Sequence, residues 1–354
     1  MPGENRKYTE ARAQRRHSNF CVQRKKDLIH SKKKRTQEKK RTEREKKPRT
    51  EEKEYNTQKK ALTQKGKKMN KKKKTFLEEL QDAKAGRYAV GAFNIFNYLS
   101  ADAVVKAAAE LDVPVILQTS VVTVKEFGPE KLGSMLRLIA EQAPVNVLIH
   151  LDHCQDIELA KACVDAGWDS VMYDGSRLSL EDNIAGCREV VKYAHSKGVD
   201  VEGEFGRIVG VEDAVKVSAE DASLAGLEDS IRFVRESGID AYAPAIGTAH
   251  GVYIGTPTIN FNLVAELKTA VDAPVVIHGG TGLSEDTFRR LIRNGGAKVN
   301  VSTAIKHAYL DTCKAYFSEY PDKIDPVGFD RCLGRAIMDT ARAHMEIFTN
   351  NSDR

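Results

Sequence analysis

Histidines and carboxylates of this chain occur where buried strands are predicted to end. The run Val145–Cys154, VNVLIHLDHC, is apolar up to Ile149 apart from Asn146, and it then becomes polar. A short continuous apolar run is typical of a strand that is buried on both faces. A strand that delivers a carboxylate and an imidazole at its carboxyl end is how α/β barrels build active sites. We therefore expect Asp152 and His153 to face a catalytic cleft.

Three later predicted strands end in groups of the same kind. Glu202 and Glu204 lie in the fifth predicted strand, His250 follows the sixth and His278 follows the seventh. Strand ends meet at one face of a barrel, and three imidazoles there suit a Zn²⁺ ion with an open position. A lone histidine at a strand end is usually only hydrogen-bonded, but three at strands three, six and seven favour a metal site. His150, three residues before His153, is left out of this set.

Two further segments offer donors for an anion. Gly279-Gly280-Thr281-Gly282 follows the seventh strand and precedes a helix for which Ser284 is the predicted N-cap, and strand eight ends in Asn300-Val301-Ser302-Thr303. Backbone N–H groups of such loops and of helix N-termini bind phosphate. A phosphate site after strands seven and eight recurs in barrels, so the position of these segments strengthens the prediction.

The segment after the fifth strand, Gly206–Asp213, contains two glycines and Glu212. This composition predicts a mobile lid that carries a carboxylate. A plain glycine-rich loop with solvated acidic residues is the alternative.

Alternation of strands and helices is what would bring these groups together. The predicted strands are Tyr88–Asn94, Pro114–Ser120, Val145–His153, Ser170–Ser176, Asp200–Gly206, Ala241–Gly247, Pro274–Gly282 and Ala297–Thr303. Helical patterns separate them, with Ser100 as the predicted N-cap of one helix and Gly167 as the C′ residue of another. A short helix beginning near Thr75 precedes the strands, and the chain after Asp325 is predicted to be helical. Eight such repeats predict a (β/α)8 TIM barrel, whereas a doubly wound sheet usually carries a GxGxxG turn that is missing here.

Charge divides the chain in two. Residues 1–74 contain 29 lysines and arginines against 9 acidic residues, and the remaining residues contain 27 against 41. We therefore predict a basic, disordered extension over 1–74 and a globular barrel domain over 75–354.

The six cysteines show no CxxC spacing, and no apolar run is long enough to span a bilayer. These features predict a cytoplasmic protein with free thiols.

Three interpretations of the basic extension stay open. It could tether the protein to a nucleic acid or another anionic surface through runs such as KKKR after Ser31. It could be a solvated tail without a partner. Translation could also begin at Met69, because Lys65–Lys68, KGKK, implies purine-rich codons that resemble a bacterial ribosome-binding site.

The chain resembles the class II, metal-dependent ketose-bisphosphate aldolases from residue 75 to about 345. The matching segments, in the order and spacing of the family, are AVGAFNIFN, PVILQTS, HLDHCQD, SVMYDGSRLSLEDNI, VEGEFGRIVGVED, AIGTAHGVY, VIHGGTG and KVNVST. HLDH, GTAHG and HGG are specific in combination. The resemblance implies a TIM barrel, reversible aldol cleavage of a ketose 1,6-bisphosphate and a homodimer or homotetramer. The basic extension has no counterpart in the family.

Site roles follow from the same resemblance. It implies that Zn²⁺ is held by His153, His250 and His278, with Glu204 approaching the metal in some members. Asp152 would act on the aldehyde oxygen as acid or base, and Glu212 would move the proton at the dihydroxyacetone phosphate carbon. The implied binding residues for this substrate and its phosphate are Gly251, Gly279, Gly280, Thr281, Asn300, Val301, Ser302 and Thr303.

A Schiff-base route needs a lysine at a strand end. None is present there, and Lys298, at the start of strand eight, is expected at the opposite rim.

Two positions bear on the substrate and on a second ion. Ser302 stands where fructose-specific relatives often have Asp, and this favours tagatose 1,6-bisphosphate over fructose 1,6-bisphosphate. Ile254 stands where fructose-type relatives tend to have a basic residue near the phosphate, which leaves a monovalent cation open.

Other functions are less consistent with the sequence. Another metal-dependent barrel enzyme, such as a hydrolase, would not need the paired phosphate loops. An RNA- or ribosome-associated protein would have to bind through the extension alone, because the acidic body lacks aromatic stacking surfaces. A catalytically idle subunit is disfavoured by the presence of Asp152, Glu212 and all three histidines.

Overall fold

A computed structural model describes residues 73–212, 215–217, 224–251 and 258–349, with only the backbone for 209–212, 215–217 and 250. The described helices are α1 Phe76–Gly86, α2 Tyr98–Leu111, α3 Val121–Phe127, α4 Pro129–Gln142, α5 Ile157–Asp165, α6 Leu180–His195, α7 Leu227–Ser237, α8 Phe261–Ala270, α9 Glu285–Arg293, α10 Thr303–Glu319 and α11 Pro326–Thr349. The strands are β1 Val90–Asn94, β2 Val115–Ser120, β3 Val147–Cys154, β4 Ser170–Tyr173, β5 Asp200–Phe205, β6 Val209–Glu212, β7 Val215–Val217, β8 Ala241–Pro244, β9 Ala249–His250, β10 Val275–Ile277 and β11 Gly296–Val301.

Eight of the strands form a closed parallel barrel. Their order around it is β1, β2, β3, β4, β5, β8, β10 and β11, and β11 closes the barrel against β1. Every neighbouring pair is parallel, with residues such as Ala92 opposite Ile116 and Asn300. Helices cover the outer faces of the strands, which explains why the strands are apolar on both faces. The predicted (β/α)8 TIM barrel is therefore confirmed.

Helix α1 closes the amino-terminal end of the barrel. Its buried residues Phe76, Leu80 and Ala83 form one cluster with the inward-facing apolar side chains of the strands, such as Ile116 and Leu148. A capping box at Thr75 fixes the start of the helix. Since apolar packing fills this end, a cleft open to solvent has room only at the carboxyl end.

The connections between β5 and β8 and after β8 differ from the prediction. Part of the segment predicted as a lid, Val209–Glu212, is strand β6, which pairs with β7 as an antiparallel hairpin. Strand β6 also pairs in parallel with β9, with Gly210 opposite His250. His250 therefore lies not at the end of a barrel strand but on a separate strand six residues beyond β8.

The structure confirms one predicted helix end, at Gly167, and corrects another, at Ser100. Gly167 has φ 76° just after α5, as a C′ glycine requires. Asn97, not Ser100, is the N-cap of α2. Ser100 is the third helical residue, and its hydroxyl accepts the Asn97 N–H in a reciprocal capping box.

Other sequence predictions concern thiols, membranes and the extension. The five cysteines among the described residues are free, as predicted. No helix in the described ranges is long and apolar enough to cross a membrane. The basic extension up to residue 72, Cys21 and Ile254 lie outside the described residues. The domain boundary at 74/75 stays a prediction.

Candidate active site

Asp152 lies at the carboxyl end of β3, buried among side-chain amides from three other strands. Its Oδ2 accepts hydrogen bonds from Asn94 Nδ2 at 3.0 Å and from Gln118 Nε2 at 3.1 Å. Its Oδ1 accepts one from Asn300 Nδ2 at 3.3 Å. Gln118 Nε2 also lies 2.6 Å from Asn94 Oδ1, which ties two of the donors together. These amides hold the carboxylate in a fixed orientation without adding a formal charge.

His153 faces the same cleft because the backbone of β3 is irregular at its tip. Successive strand residues normally point to opposite faces, so the neighbour of Asp152 should point away from the barrel. The pairing with β4 shifts by one residue between Leu151 and Cys154, and His153 has φ 48°, in the left-handed region. A bulge of this kind redirects a side chain. Asp152 and His153 can therefore both contribute to one site.

Two carboxylates contact the His153 ring. Its Nδ1 lies 3.1 Å from Asp174 Oδ2 and 3.8 Å from Glu204 Oε2. Burial alone would raise the pKa of Asp174, but the hydrogen bond with His153 holds that pKa well below its usual range. Burial, reinforced by the charge of Asp174, raises the pKa of Glu204. Asp174 was not among the predicted site residues, although it directly follows β4.

His278 follows β10 and lies between the two glutamates of β5. Its Nε2 is 2.9 Å from Glu202 Oε1, and its Nδ1 is 3.1 Å from Glu204 Oε2. Burial opposes protonation of the ring, but these carboxylates outweigh it and raise the pKa of His278 to about 9. The ring is 4.7 Å from that of His153, edge to face. The two histidines from β3 and β10 therefore share one pocket.

The donor set around these rings fits a divalent metal ion. One group of possible ligand atoms comes from Asp152, His153 and His278, and another from His153, Asp174 and Glu204; within each group the atoms lie within 4.8 Å of one another. Imidazole and carboxylate are ligands that Zn²⁺ accepts. The nitrogen that binds a metal must be deprotonated, so an ion here would replace the proton on one ring nitrogen of His278.

Two predicted site residues are described through their backbone alone. His250 lies on β9 and Glu212 ends β6, in the small sheet β7-β6-β9. The backbone of Gly279, which follows His278, packs against Ala249: a Cβ on Gly279 would lie 2.5 Å from the Ala249 carbonyl oxygen. This contact places the backbone next to His250 against the loop that carries His278. The roles of the His250 and Glu212 side chains stay predictions.

The predicted phosphate segments meet beside β10 and β11. A Cβ on Gly280 would lie 2.6 Å from the Asn300 carbonyl oxygen, so only glycine allows the two loops this close approach. The Thr281 hydroxyl accepts a hydrogen bond from the Ala304 N–H in the first turn of α10. Ser302 is the N-cap of α10 and makes no side-chain cap, and its buried Oγ has no hydrogen-bond partner among the described residues. Polar groups thus converge on a helix N-terminus, the geometry that favours an anion.

The remaining predicted phosphate residues adjoin β9 and Ser302. Gly251, with φ 91°, directly follows β9, and Val301 and Thr303 flank Ser302.

Lys298 occupies the barrel interior, so its expected position at the opposite rim is wrong. The residue is 0% exposed, and its Nζ donates to Glu202 Oε2 at 2.8 Å. A Schiff base needs a neutral amine that the substrate can reach. The buried ion pair of Lys298 does not provide one.

Sequence reasoning missed the residues that support the predicted ones. Asp174, Asn94 and Gln118 lie in or just after β4, β1 and β2, at the level of Asp152 and His153. A signal was present, because each is a polar residue that follows an apolar stretch of its strand.

Comparisons with known proteins point to one family. A family model described as class II fructose-bisphosphate aldolase matches residues 74–353. The solved YdjI aldolase from Escherichia coli K12 is 28% identical with a TM-score of 0.69, over 78% of this chain and 98% of that one. A provisionally assigned fructose-1,6-bisphosphate aldolase from Coccidioides immitis is 28% identical with a TM-score of 0.72, over 77% and 96%. The fructose-bisphosphate aldolase Fba from Campylobacter jejuni shares the fold at 21% identity and a TM-score of 0.64, over 76% and 92%.

Proposed function

Because the chain belongs to the class II fructose-bisphosphate aldolase family, we propose that it reversibly cleaves a ketose 1,6-bisphosphate to dihydroxyacetone phosphate and glyceraldehyde 3-phosphate, with one Zn²⁺ per subunit. The observation that carries the proposal is the convergence of ligand-type atoms from Asp152, His153 and His278, all within 4.8 Å, at the open end of the barrel. The neighbouring loops after β10 and β11 supply the second requirement, a place for the substrate phosphate.

The proposed metal ligands are His153, His250 and His278, with Glu204 able to join them. Asp174 supports the set, since it lies 3.1 Å from His153 Nδ1 and fixes the orientation of that ring. A bound Zn²⁺ would supply Lewis-acid stabilisation of the negative charge that develops on the substrate oxygens.

Asp152 is the proposed base in the cleavage direction. It takes the proton from the C4 hydroxyl as the C3–C4 bond breaks, which leaves C4 as the aldehyde carbon. The amides of Asn94, Gln118 and Asn300 hold the carboxylate oriented for this transfer. Glu212 then delivers a proton to C3, which completes dihydroxyacetone phosphate. Proton transfers by positioned groups typically contribute about 10²- to 10⁴-fold each.

The phosphate of dihydroxyacetone phosphate is proposed to bind at Gly251, Gly279, Gly280 and Thr281 and at the segment from Asn300 to Thr303. Close packing of the Gly280 backbone against Asn300 supports this arrangement, because it brings both loops to the N-terminus of α10. The amide groups and hydroxyls there are the donors that a phosphate dianion needs.

For the sugar, we infer a preference for tagatose 1,6-bisphosphate over fructose 1,6-bisphosphate. These ketoses differ in configuration at C4, one of the two carbons joined by the bond that breaks. Ser302 supports the inference, because its side chain is small and uncharged and its buried hydroxyl has no partner among the described residues. An aspartate at this position would add a charge and an acceptor beside the substrate.

The test is steady-state cleavage of both sugars by the full chain, read as triose phosphate. We expect a larger kcat/KM for tagatose 1,6-bisphosphate, and a shift toward the fructose isomer in Ser302→Asp. A larger kcat/KM for fructose 1,6-bisphosphate would refute the preference, and cleavage of neither sugar by folded, zinc-loaded protein would refute the proposed function.

A further inference from the structure

A buried ion pair lies inside the barrel, beneath the proposed metal site. Glu202 of β5 and Lys298 of β11 are both 0% exposed, and Lys298 Nζ lies 2.8 Å from Glu202 Oε2. The other oxygen, Oε1, lies 2.9 Å from His278 Nε2. Each carboxylate oxygen of Glu202 is therefore engaged by a different partner, and the group is held in one orientation.

The pair is supported from the closed end of the barrel. His150 Nε2 lies 3.6 Å from Glu202 Oε2, and its Nδ1 lies 2.8 Å from Ser170 Oγ. The His150 ring stacks on Phe76 of α1, with centroids 5.2 Å apart and an angle of 2° between the planes. The Glu202 carboxylate is therefore packed against His150, which is itself held by Ser170 and Phe76.

The two glutamates of β5 distinguish the two nitrogens of His278. Glu202 and Glu204 point to the same face, about 6.6 Å apart along the strand. Glu204 is the one at the level of the metal-type ligands, 3.8 Å from His153 Nδ1 and 3.1 Å from His278 Nδ1. Nε2 instead faces Glu202 in the closed interior. Nδ1 of His278 is therefore the nitrogen on the side of Glu204, and Nε2 is the nitrogen that Glu202 engages.

From this geometry we propose that Glu202 and Lys298 are positioning residues for the metal. Glu202 accepts the Nε2–H of His278 and thereby presents Nδ1 to the ion, and Lys298 fixes Glu202 in place. This inference rests on the proposed function, since it concerns a ligand of the proposed Zn²⁺. Hydrogen-bond acceptors behind metal-bound histidines generally set the tautomer and the ring orientation.

Stability alone gives a weaker reason for the pair. Replacing a buried ion pair by apolar groups of similar volume is often neutral or stabilising, whereas removing one partner leaves a costly buried charge. The informative variant therefore changes both residues to methionine, Glu202→Met with Lys298→Met. It removes both charges and the acceptor for the Nε2–H of His278 while approximately keeping the volume.

Zinc affinity of the metal-free full-length protein is the measurement, by competition with a chromogenic chelator. We expect the double variant to bind Zn²⁺ about 10- to 100-fold more weakly than the wild type, with an unchanged circular dichroism spectrum. Glu79→Gln is the matched control: this buried carboxylate of α1 accepts a hydrogen bond from Asn146 and does not touch His278. Its zinc affinity should equal that of the wild type.

A second readout does not depend on any variant. In zinc-loaded wild-type protein with ¹⁵N-labelled histidine, NMR should show His278 metal-bound through Nδ1 and protonated at Nε2. Coordination through Nε2, or a folded double variant that binds Zn²⁺ within twofold of the wild type, would overturn the inference and leave the proposed function standing. A wild-type protein that binds no Zn²⁺ would overturn both.

Discussion

Gln118 gives the sharpest test of how Asp152 is positioned. Its Nε2 donates to Asp152 Oδ2 at 3.1 Å and lies 2.6 Å from Asn94 Oδ1, and all three side chains are buried. Gln118→Met keeps the length of the side chain but removes both donations. The variant leaves the carboxylate with one fewer amide and leaves Asn94 Oδ1 without its donor.

The size of the effect follows from the type of hydrogen bond. A buried hydrogen bond to a charged group contributes roughly 1.5–3 kcal/mol. If that free energy serves to hold Asp152 in its reactive orientation, kcat/KM should fall on the order of 10- to 100-fold. Zinc affinity should stay at the wild-type value, because no described hydrogen bond joins Gln118 to His153 or His278.

The adjacent residue provides a matched control. Thr119 lies on the same strand and is 0% exposed, and its Oγ1 has no hydrogen-bond partner among the described residues. Thr119→Val keeps the shape and should leave kcat/KM and thermal stability unchanged. The measurement is the steady-state kcat/KM of both variants. A Gln118→Met enzyme with kcat/KM within twofold of the wild type would refute the role assigned to this amide.

Three further variants test other parts of the account. Asp174→Asn removes the carboxylate beside His153 Nδ1 and should weaken zinc binding roughly tenfold in chelator competition; unchanged affinity would exclude a supporting role. Gly280→Ala places a Cβ 2.6 Å from the Asn300 carbonyl oxygen and should raise KM and lower the melting temperature, whereas unchanged values would show that the loops need no close contact. Deletion of residues 1–68 should leave aldolase activity intact while any polyanion binding disappears, since the family match begins at residue 74; loss of cleavage by the folded protein would contradict this.

The barrel could be predicted from sequence because its signal is local and repeated. Most buried strands contain a short apolar run, and the helices show their own patterns and end signals. Strand ends were also predictable, since runs such as Val147–Ile149 change abruptly from apolar to polar. The fold then brings Asp152 and His278 to the same face of the barrel without any further information, because parallel strands share one end.

Other features depend on contacts that no local pattern encodes. The small sheet β7-β6-β9 pairs segments far apart in the chain, so His250 was assigned to the end of a barrel strand. The bulge that turns His153 toward Asp152 is a matter of register against β4. Lys298 was misplaced because a lysine near the start of a strand is normally solvated, and only the inward-facing Glu202 explains its burial.

Metal dependence is the central claim, and one measurement tests it most directly. The full-length enzyme is stripped with a chelator, assayed for cleavage of tagatose and fructose 1,6-bisphosphates, and then titrated with Zn²⁺. The account predicts that activity is lost on stripping and returns in proportion to added metal, reaching a plateau at one ion per chain. Full activity in the metal-free protein would contradict it.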